Sequence, residues 1–217
     1  MTDHPTEETP APQQPAPRTR RSRGSLSREE ILAAASSIVQ QEGVEKLSMR
    51  RIASRLGCSV ASPYAYFESQ GELVKVLIID GEQDLTGRLA KARESSDDVF
   101  EQLEAIAYTY WRFAHENREL HKLMFNMGGG KLYRDVFTSL PTSYRVFLET
   151  IRAGIQSGEI AYPLKDYSGI ARTMWSWMFG LILTEMTGML RQRKGDDPIE
   201  EGIRYFSVML RQGDRSA

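Results

Sequence analysis

The sequence predicts an all-α protein of about nine helices, and three observations lead to that prediction. Apolar residues recur three and four positions apart through most of the chain after residue 27. Serine or aspartate stands before most of these runs, where it caps the first turn of a helix. The alternation of apolar and polar residues that is typical of strands does not occur in the sequence. With 217 residues, 41% of them hydrophobic, the chain is long enough to bury a sizeable core.

The N-terminal residues predict a tail without a fold of its own. Residues 1–17 are rich in Pro, Thr and Gln, and they carry no apolar cluster whose burial would offset the entropy of ordering. An arginine-rich arm follows from Arg18 and leads directly into the first helix. We therefore assign residues 1–24 to a disordered tail with a basic arm.

The first two helices have clear local signals at their ends. Ser27 and Glu30 form the pattern of a capping box, and an apolar stripe then runs to Gly43, where the helix stops. A second helix begins at Ser48. Gly57 follows it and supplies the positive φ of a tight turn.

A third, short helix is expected from Ser59, as its cap, to about Tyr66. Pro63 falls near its fourth position, and a proline is tolerated only close to a helix start. Ser69 and Glu72 form another capping-box pattern, which opens a fourth helix.

The same signals predict the helices of the C-terminal half. They are a helix after Asp97 or Asp98, a shorter one at 120–125, one at about 142–157, a long apolar one from near Asp166 to Arg191, and a last one with Asp197 as cap, Pro198 first and Glu200 third. The glycine run at 128–130 lacks the spacing of a phosphate-binding loop, so we expect no cofactor.

Two helices joined by a glycine-containing turn form the signature of a helix-turn-helix, a DNA-binding unit, which we place at residues 25–72. The charge distribution agrees with this assignment. Residues 18–70 carry nine Lys or Arg against five Asp or Glu, although the whole chain has a net charge of −1. A basic patch confined to this unit and its leader is expected of a surface that faces phosphates.

The helix-turn-helix predicts which side chains contact DNA. Residues near the start of the recognition helix meet base edges, and hydroxyls and arginines nearby meet guanine or phosphate. The predicted DNA contacts are Arg18, Arg20, Arg21, Arg23, Ser48, Arg50, Arg51, Ser59, Val60, Ala61, Ser62, Tyr64, Tyr66 and Gln70. Two alternatives stay open: the arm only solubilises the chain, and Tyr64 belongs partly to the core. Phe67 is expected in the core.

The segment from Arg28 to Leu73 resembles the tetracycline-repressor (TetR) family of bacterial regulators. The resemblance lies in the R-x-x-I-L-x-A-A pattern from Arg28, Gly43, the run 47–53, the run 56–59, and the Pro63-Tyr64 and Tyr66-Phe67 pairs. It implies a homodimer in which the N-terminal helices read DNA and residues 73–217 form a helical domain for effector binding and dimerisation.

Three positions depart from the family pattern. Gln70 stands where the family usually has a phosphate-contacting Lys, Tyr66 where His is common, and Ala61 where Gly is common. The loss of the Lys removes a charge, so we expect the basic arm to supply part of the phosphate binding.

The C-terminal half is similar to one subgroup of this family. The similarity rests on residues 110–114 and 123–125, and on Trp175, residues 179–181 and Glu185. Phe179 replaces the subgroup's His and Arg118 replaces a Pro. A ligand-binding role of that His therefore does not carry over.

Residues 174–189 are apolar on nearly all sides, which predicts a helix that faces its own core and a second surface. With the last helix it is our candidate for a symmetric dimer interface, the alternative being a fully interior helix in a monomer. Side chains predicted to line an apolar effector cavity are Trp111, Met124, Phe125, Tyr144, Phe147, Trp175, Met178 and Phe179. Glu185, an ionisable group in this stripe, is expected to pair with Arg or a backbone group, or to contact the ligand.

These features predict a cytoplasmic, ligand-responsive transcriptional regulator, a repressor released from a near-palindromic operator when a small, largely apolar molecule binds. An enzyme is not expected, because His115 and His121 lie six apart without a completing metal ligand and Cys58 sits where an apolar residue usually packs. No membrane segment is expected, since the most apolar stretch is about half the roughly 20 residues that span a bilayer. The remaining alternative is a helical adaptor whose helix-turn-helix contacts protein.

Overall fold

The computed structural model describes residues 26–125, 141–189 and 197–213, and in these ranges the chain folds into nine α-helices without strands. We name them in order α1 (Arg28–Glu42), α2 (Met49–Leu56), α3 (Ala61–Tyr64), α4 (Gln70–Arg93), α5 (Val99–Glu116), α6 (Arg118–Met124), α7 (Thr142–Ser157), α8 (Tyr167–Met186) and α9 (Pro198–Gln212). The prediction of an all-α fold is confirmed. The tail, the basic arm and the glycine run at 128–130 lie outside the described residues.

Most predicted helix starts are confirmed by the hydrogen bonds that cap them. The Ser27 hydroxyl accepts from the Glu30 amide while the Glu30 carboxylate accepts from the Ser27 amide, so the capping box forms in full. Asp98, not Asp97, caps α5 by accepting from two backbone amides. Asp197 caps α9, and Pro198 occupies its first position.

Two predicted caps are wrong in detail. Ser59 does not cap α3, because its hydroxyl pairs with that of Ser62 and the helix starts one residue later, after Val60. Ser69 does cap α4, but the Glu72 carboxylate accepts from the Glu68 amide instead of the Ser69 amide. Both capping signals are local in sequence. A neighbouring group nevertheless competes for the Ser59 hydroxyl and for the Glu72 carboxylate.

Helix lengths differ from the prediction at three places. α3 begins at Ala61 and ends at Tyr64, so Pro63 is its third residue rather than its fourth. α6 begins at Arg118, two residues earlier than expected. α8 ends at Met186 because Gly188 takes a left-handed conformation with φ +67°, whereas the apolar pattern predicted a helix to Arg191.

The three N-terminal helices pack around one small core. Ile31 and Ile38 of α1, Ile52 of α2 and Phe67 after α3 are almost completely buried against each other. The prediction that Phe67 belongs to the core is confirmed. Burial of such side chains contributes roughly 1.5–3 kcal/mol each, which holds the short helix α3 in place.

The long helix α4 joins this unit to the C-terminal helices and packs against α5, α6 and α7. Gly81 lets α6 approach closely, because a Cβ there would lie 2.8 Å from the Met124 sulphur. Glu82, next in the chain, is buried and accepts at 2.9 Å from the Ser143 amide at the start of α7. Burial raises the pKa of the Glu82 carboxyl. The side chain thus caps a helix that has no side-chain cap of its own.

The last two helices make a closely packed pair. Gly202 of α9 lies against the Trp177 ring of α8, and a Cβ on it would fall 1.6 Å from the ring atom Cζ2. Only one face of α8 is buried in the single chain, along Ile170, Met174, Met178 and Ile182. The alternative of a fully interior helix in a monomer is therefore wrong. In the part of the chain described here, no helix is both long and apolar enough to cross a membrane.

Candidate functional site

The turn between α2 and α3 has the geometry of a helix-turn-helix. Gly57 adopts φ +67° and ψ +30°, a left-handed conformation that glycine takes without strain. The Cys58 amide then donates to the Ala53 carbonyl at 3.0 Å, which closes the end of α2. Residues 57–60 form the turn between α2 and α3, and the two helices are in contact.

The predicted base-reading side chains, Val60, Ala61 and Ser62, lie at the start of α3, and Tyr64, predicted to contact phosphate, ends it. Val60 and Tyr64 are 46% and 51% exposed, although both are large and apolar enough to prefer burial. Ala61 is exposed as well, whereas Ser62 is half-buried and its hydroxyl lies 2.8 Å from that of Ser59. Exposed apolar side chains at the start of a short helix can contact thymine methyl groups in a major groove.

Several predicted phosphate contacts already hold an intramolecular partner. The Tyr66 hydroxyl donates to the Leu26 carbonyl, and the Gln70 amide donates to the Leu47 carbonyl at 2.9 Å. The Ser48 hydroxyl accepts from the Arg51 amide at the start of α2. Tyr66 and Gln70 thus order the backbone around α3, a role that their sequence positions did not indicate, whereas Ser48 caps α2 as its position predicts.

The arginines of α2 differ in their surroundings. Arg51 and Arg55 both pair with the Glu42 carboxylate at the end of α1, and Arg55 also donates to the Ser37 hydroxyl at 2.6 Å. Arg50 is exposed and has no carboxylate within ion-pair distance in the described ranges. The Glu42 pairing was not foreseen, because it joins residues nine and thirteen positions apart. The arm residues Arg18, Arg20, Arg21 and Arg23 lie outside the described residues.

An apolar recess of about 380 Å³ lies between α7 and α8. We call it the aromatic recess, and its lining residues are Phe125, Pro141, Tyr144, Arg172, Trp175, Ser176 and Phe179. Four of the eight predicted ligand residues are among them. The volume is within the usual range of ligand pockets, about 300 to 1,000 Å³.

The other four predicted ligand residues do not line this recess. Met124, Phe147 and Met178 are almost completely buried in the core, and Trp111 packs instead against the His115 ring. Like the lining residues, these four belong to the apolar stripes of their helices. The sequence pattern of a stripe does not indicate which of its side chains neighbouring helices will cover.

A layer of buried groups lies behind the recess. The Tyr110 ring stacks on that of Trp175 with centroids 4.8 Å apart, and its hydroxyl lies 3.1 Å from Nε2 of His121. The His121 ring contacts those of Phe125 and Phe179, and its Nδ1 has no hydrogen-bond partner in the described ranges. Burial, assisted by the nearby His115, lowers the pKa of His121 to about 4. The ring is therefore neutral at pH 7.

Glu185 pairs with Nε2 of His115 across α5 and α8. Glu185 therefore has a partner within the chain, as expected, but this partner is a histidine rather than an arginine or a backbone group. Glu185 does not line the aromatic recess. Arg118, the first residue of α6 and three residues before His121, donates to the carbonyl of Met186 at the end of α8.

Sequence reasoning missed Pro141, Arg172 and Ser176 on the wall of the recess. Arg172 is the one charged residue among its described lining residues. Burial raises the pKa of the nearby Tyr144 hydroxyl, while the positive charge of Arg172 opposes that shift. A signal existed in the sequence: residues 172, 175, 176 and 179 have the spacing of one helix face.

Two family models match the chain. The first, described as bacterial regulatory proteins of the tetR family, matches residues 31–77, and the second, described as a tetracyclin repressor-like C-terminal domain, matches residues 103–209. They cover the helix-turn-helix and most of the helices that surround the aromatic recess.

Individual proteins show the same likeness. The chain is 24% identical to the uncharacterized HTH-type transcriptional regulator Rv0681 of Mycobacterium tuberculosis, over 86% of this chain and 79% of the relative. It is 30% identical to the nucleoid occlusion factor SlmA of Actinobacillus pleuropneumoniae, over 39% of this chain and 45% of that protein. A solved protein of unknown function from Rhodococcus sp. RHA1 superposes with a TM-score of 0.70 at 25% identity, covering 88% of this chain and 98% of that one.

Proposed function

Because the chain belongs to the TetR family of bacterial transcriptional regulators, we propose that it is a cytoplasmic repressor that leaves its operator when a small, largely apolar molecule binds the aromatic recess. The observation that carries this proposal is the presence, in one chain, of an exposed recognition helix and an aromatic recess connected to it by packed helices.

The connection between the two sites runs through α6. Phe125 lines the recess and directly follows Met124, which is buried against Gly81 of α4. α6 also packs against α1, whose first turn lies beside the end of α3. A ligand that displaces Phe125 would therefore move α6 against α4 and α1, the two helices that support the recognition helix α3. Such a ligand shifts the population of DNA-binding conformations by its difference in affinity for them.

A homodimer completes the proposal. α8 and α9 leave an apolar surface uncovered in the single chain, with Tyr205 and Val208 of α9 65% and 48% exposed. Pairing of these helices with those of a second copy would bury this surface and place two α3 helices on one face. Two half-sites about 34 to 36 Å apart, in a near-palindromic operator, then fit the dimer.

A mobility-shift assay on the DNA that flanks the gene of this protein tests the proposal. We expect specific binding that weakens with salt, and a shift to free DNA when an apolar compound occupies the recess. Trp175→Ala, which removes a wall of the recess and leaves α1, α2 and α3 unaltered, should keep DNA binding and lose the response to the compound. Specific binding that no apolar compound relieves would contradict the ligand-responsive part.

The likeness to SlmA favours a second candidate function. That relative is named a nucleoid occlusion factor, and its match to this chain spans only part of both proteins. On this alternative the chain is a helical adaptor or regulator that acts through protein contacts and binds no small effector. Absent or salt-insensitive DNA binding would favour it over the repressor.

A further inference from the structure

We propose that the effector of the aromatic recess is a small carboxylate with a flat apolar body, and that Arg172 binds its carboxylate. The inference rests on the proposed function and deepens it, since it assigns the chemical class of the ligand at the same site.

The distribution of polar groups around the recess indicates the charge of the ligand. Arg172 and Ser176 stand one turn apart on α8, on the same helix face as Trp175 and Phe179. The recess therefore has a polar edge and an apolar interior. Among the described residues, Arg172 is the only charged side chain that lines the recess. Arg172 is exposed at this edge, where its guanidinium can pair with a ligand carboxylate while the apolar body of the ligand fills the interior.

The guanidinium is available for a ligand. Arg51, Arg55, Arg88 and Arg152 all have a carboxylate within 4.0 Å, but Arg172 has none in the parts of the chain that the structure describes. Its planar fork of N–H donors matches the two oxygens of a carboxylate. The Ser176 hydroxyl, next to it on the same face, supplies one further donor.

The interior of the recess indicates the shape of the apolar body. Its walls are the rings of Phe125, Tyr144, Trp175 and Phe179. Tyr144 meets Trp175 edge-on at a centroid distance of 5.4 Å, and Phe125 lies 5.3 Å from Phe179. Such surfaces favour a flat ring system, which gains stacking and edge contacts beyond its buried area. The volume of about 380 Å³ suits a bicyclic acid better than a long acyl chain with a bulky head group.

Calorimetric titration with two matched probes tests the inference. The probes are 2-naphthoic acid and its neutral isostere 2-naphthamide, each added to the full chain and to Arg172→Gln. We expect the acid to bind the full chain about tenfold or more tightly than the amide, because a hydrogen bond to a charged group contributes roughly 1.5–3 kcal/mol. Arg172→Gln should remove this preference. Arg112→Gln, an exposed arginine on α5 away from the recess, should retain it.

A mobility-shift assay with the same probes separates this inference from the proposed function. Equal binding of acid and amide by the full chain, or binding of neither, would overturn the carboxylate assignment. If both probes bind equally and both release DNA, the ligand-responsive function stands and its ligand is neutral. If the acid binds through Arg172 and the operator stays bound, the carboxylate assignment stands and the release mechanism fails.

Discussion

The phenol of Tyr66 donates a hydrogen bond to the backbone carbonyl of Leu26, forty residues earlier in the chain. The bond joins the segment after the recognition helix α3 to the segment before α1, which continues from the basic arm. Close by, the Arg28 guanidinium lies over the Phe67 ring at 4.7 Å. The start of α1 is thus held against the end of α3 by two contacts.

This relationship predicts that Tyr66→Phe weakens DNA binding through the arm. Loss of one hydrogen bond costs about 1 kcal/mol, so we expect an affinity loss of up to about fivefold by fluorescence anisotropy. In a chain with Arg18, Arg20, Arg21 and Arg23 all changed to Ala, the same substitution should have little further effect. An equal loss in both backgrounds would show that Tyr66 acts on the DNA independently of the arm.

Arg50 and Arg51 should differ in their importance for DNA. Arg50→Ala should weaken binding to the operator and reduce the salt slope by about 1, since among the described residues its guanidinium has no carboxylate partner and can meet a phosphate or a guanine. Arg51→Ala should change DNA affinity less, because Arg51 is paired with Glu42. Anisotropy titrations at several salt concentrations measure both. A larger loss for Arg51→Ala would mean that the Glu42 pair opens on DNA.

Tyr64 is expected to contact phosphate through its hydroxyl. Tyr64→Phe should weaken binding to all DNA sequences by a similar factor of a few-fold, since a phosphate contact carries no sequence information. Ser48→Ala is a less clean partner than its position suggests, because the Ser48 hydroxyl caps α2 and its loss costs about 1 kcal/mol of stability. Unchanged affinity of Tyr64→Phe for specific and random DNA would exclude the phosphate role.

The contact between Gly202 and Trp177 predicts a large effect of one methyl group. Gly202→Ala should destabilise the chain by about 1–3 kcal/mol, because a Cβ there overlaps the indole ring. Gly87→Ala on α4 is the matched control. It has open space around it and should be neutral or stabilising by up to about 1 kcal/mol. Thermal unfolding at fixed protein concentration compares the two, and equal melting temperatures would contradict the close packing of α8 and α9.

His121 predicts a loss of stability in mild acid. Its pKa is about 4 in the folded chain against an ordinary value of 6.5, so the unfolded chain takes up a proton first as the pH falls. Stability should therefore decline between pH 6.5 and about 4, by roughly 3 kcal/mol at most. Denaturant titrations across this range should show a smaller decline for His121→Phe. His4→Gln, a histidine substitution in the predicted N-terminal tail, leaves His121 and its neighbour His115 in place and should decline like the unaltered chain.

Local signals account for most of what the sequence predicts correctly. Ser27, Ser48, Asp98 and Asp197 cap helices as expected, because a cap needs only an oxygen and an amide two or three residues away. The errors arise where a second donor or acceptor competes. Ser59 pairs with Ser62, and Glu72 accepts from Glu68, and neither choice follows from helix propensity.

The candidate sites show where sequence reasoning stops. Phe147 and Met178 lie on the same stripes as Tyr144 and Trp175, yet the first two are covered by neighbouring helices and the other two face the recess. Arg172 was overlooked because a charged residue at the edge of an apolar run is usually a solvated one. Its place in the recess depends on the aromatic rings of Phe125 and Tyr144, which belong to other parts of the chain.

By itself the sequence determined the all-α fold, the helix-turn-helix and its family, since capping and periodicity act within a few residues of the chain. Only the tertiary structure decided that Glu42 occupies Arg51 and leaves Arg50 exposed, that Tyr66 holds Leu26, and that Arg172 borders an aromatic recess. The two pairings join residues 9 and 40 positions apart, and Phe125 and Arg172, which both line the recess, are 47 positions apart. Their geometry depends on how whole helices pack, which no local pattern specifies.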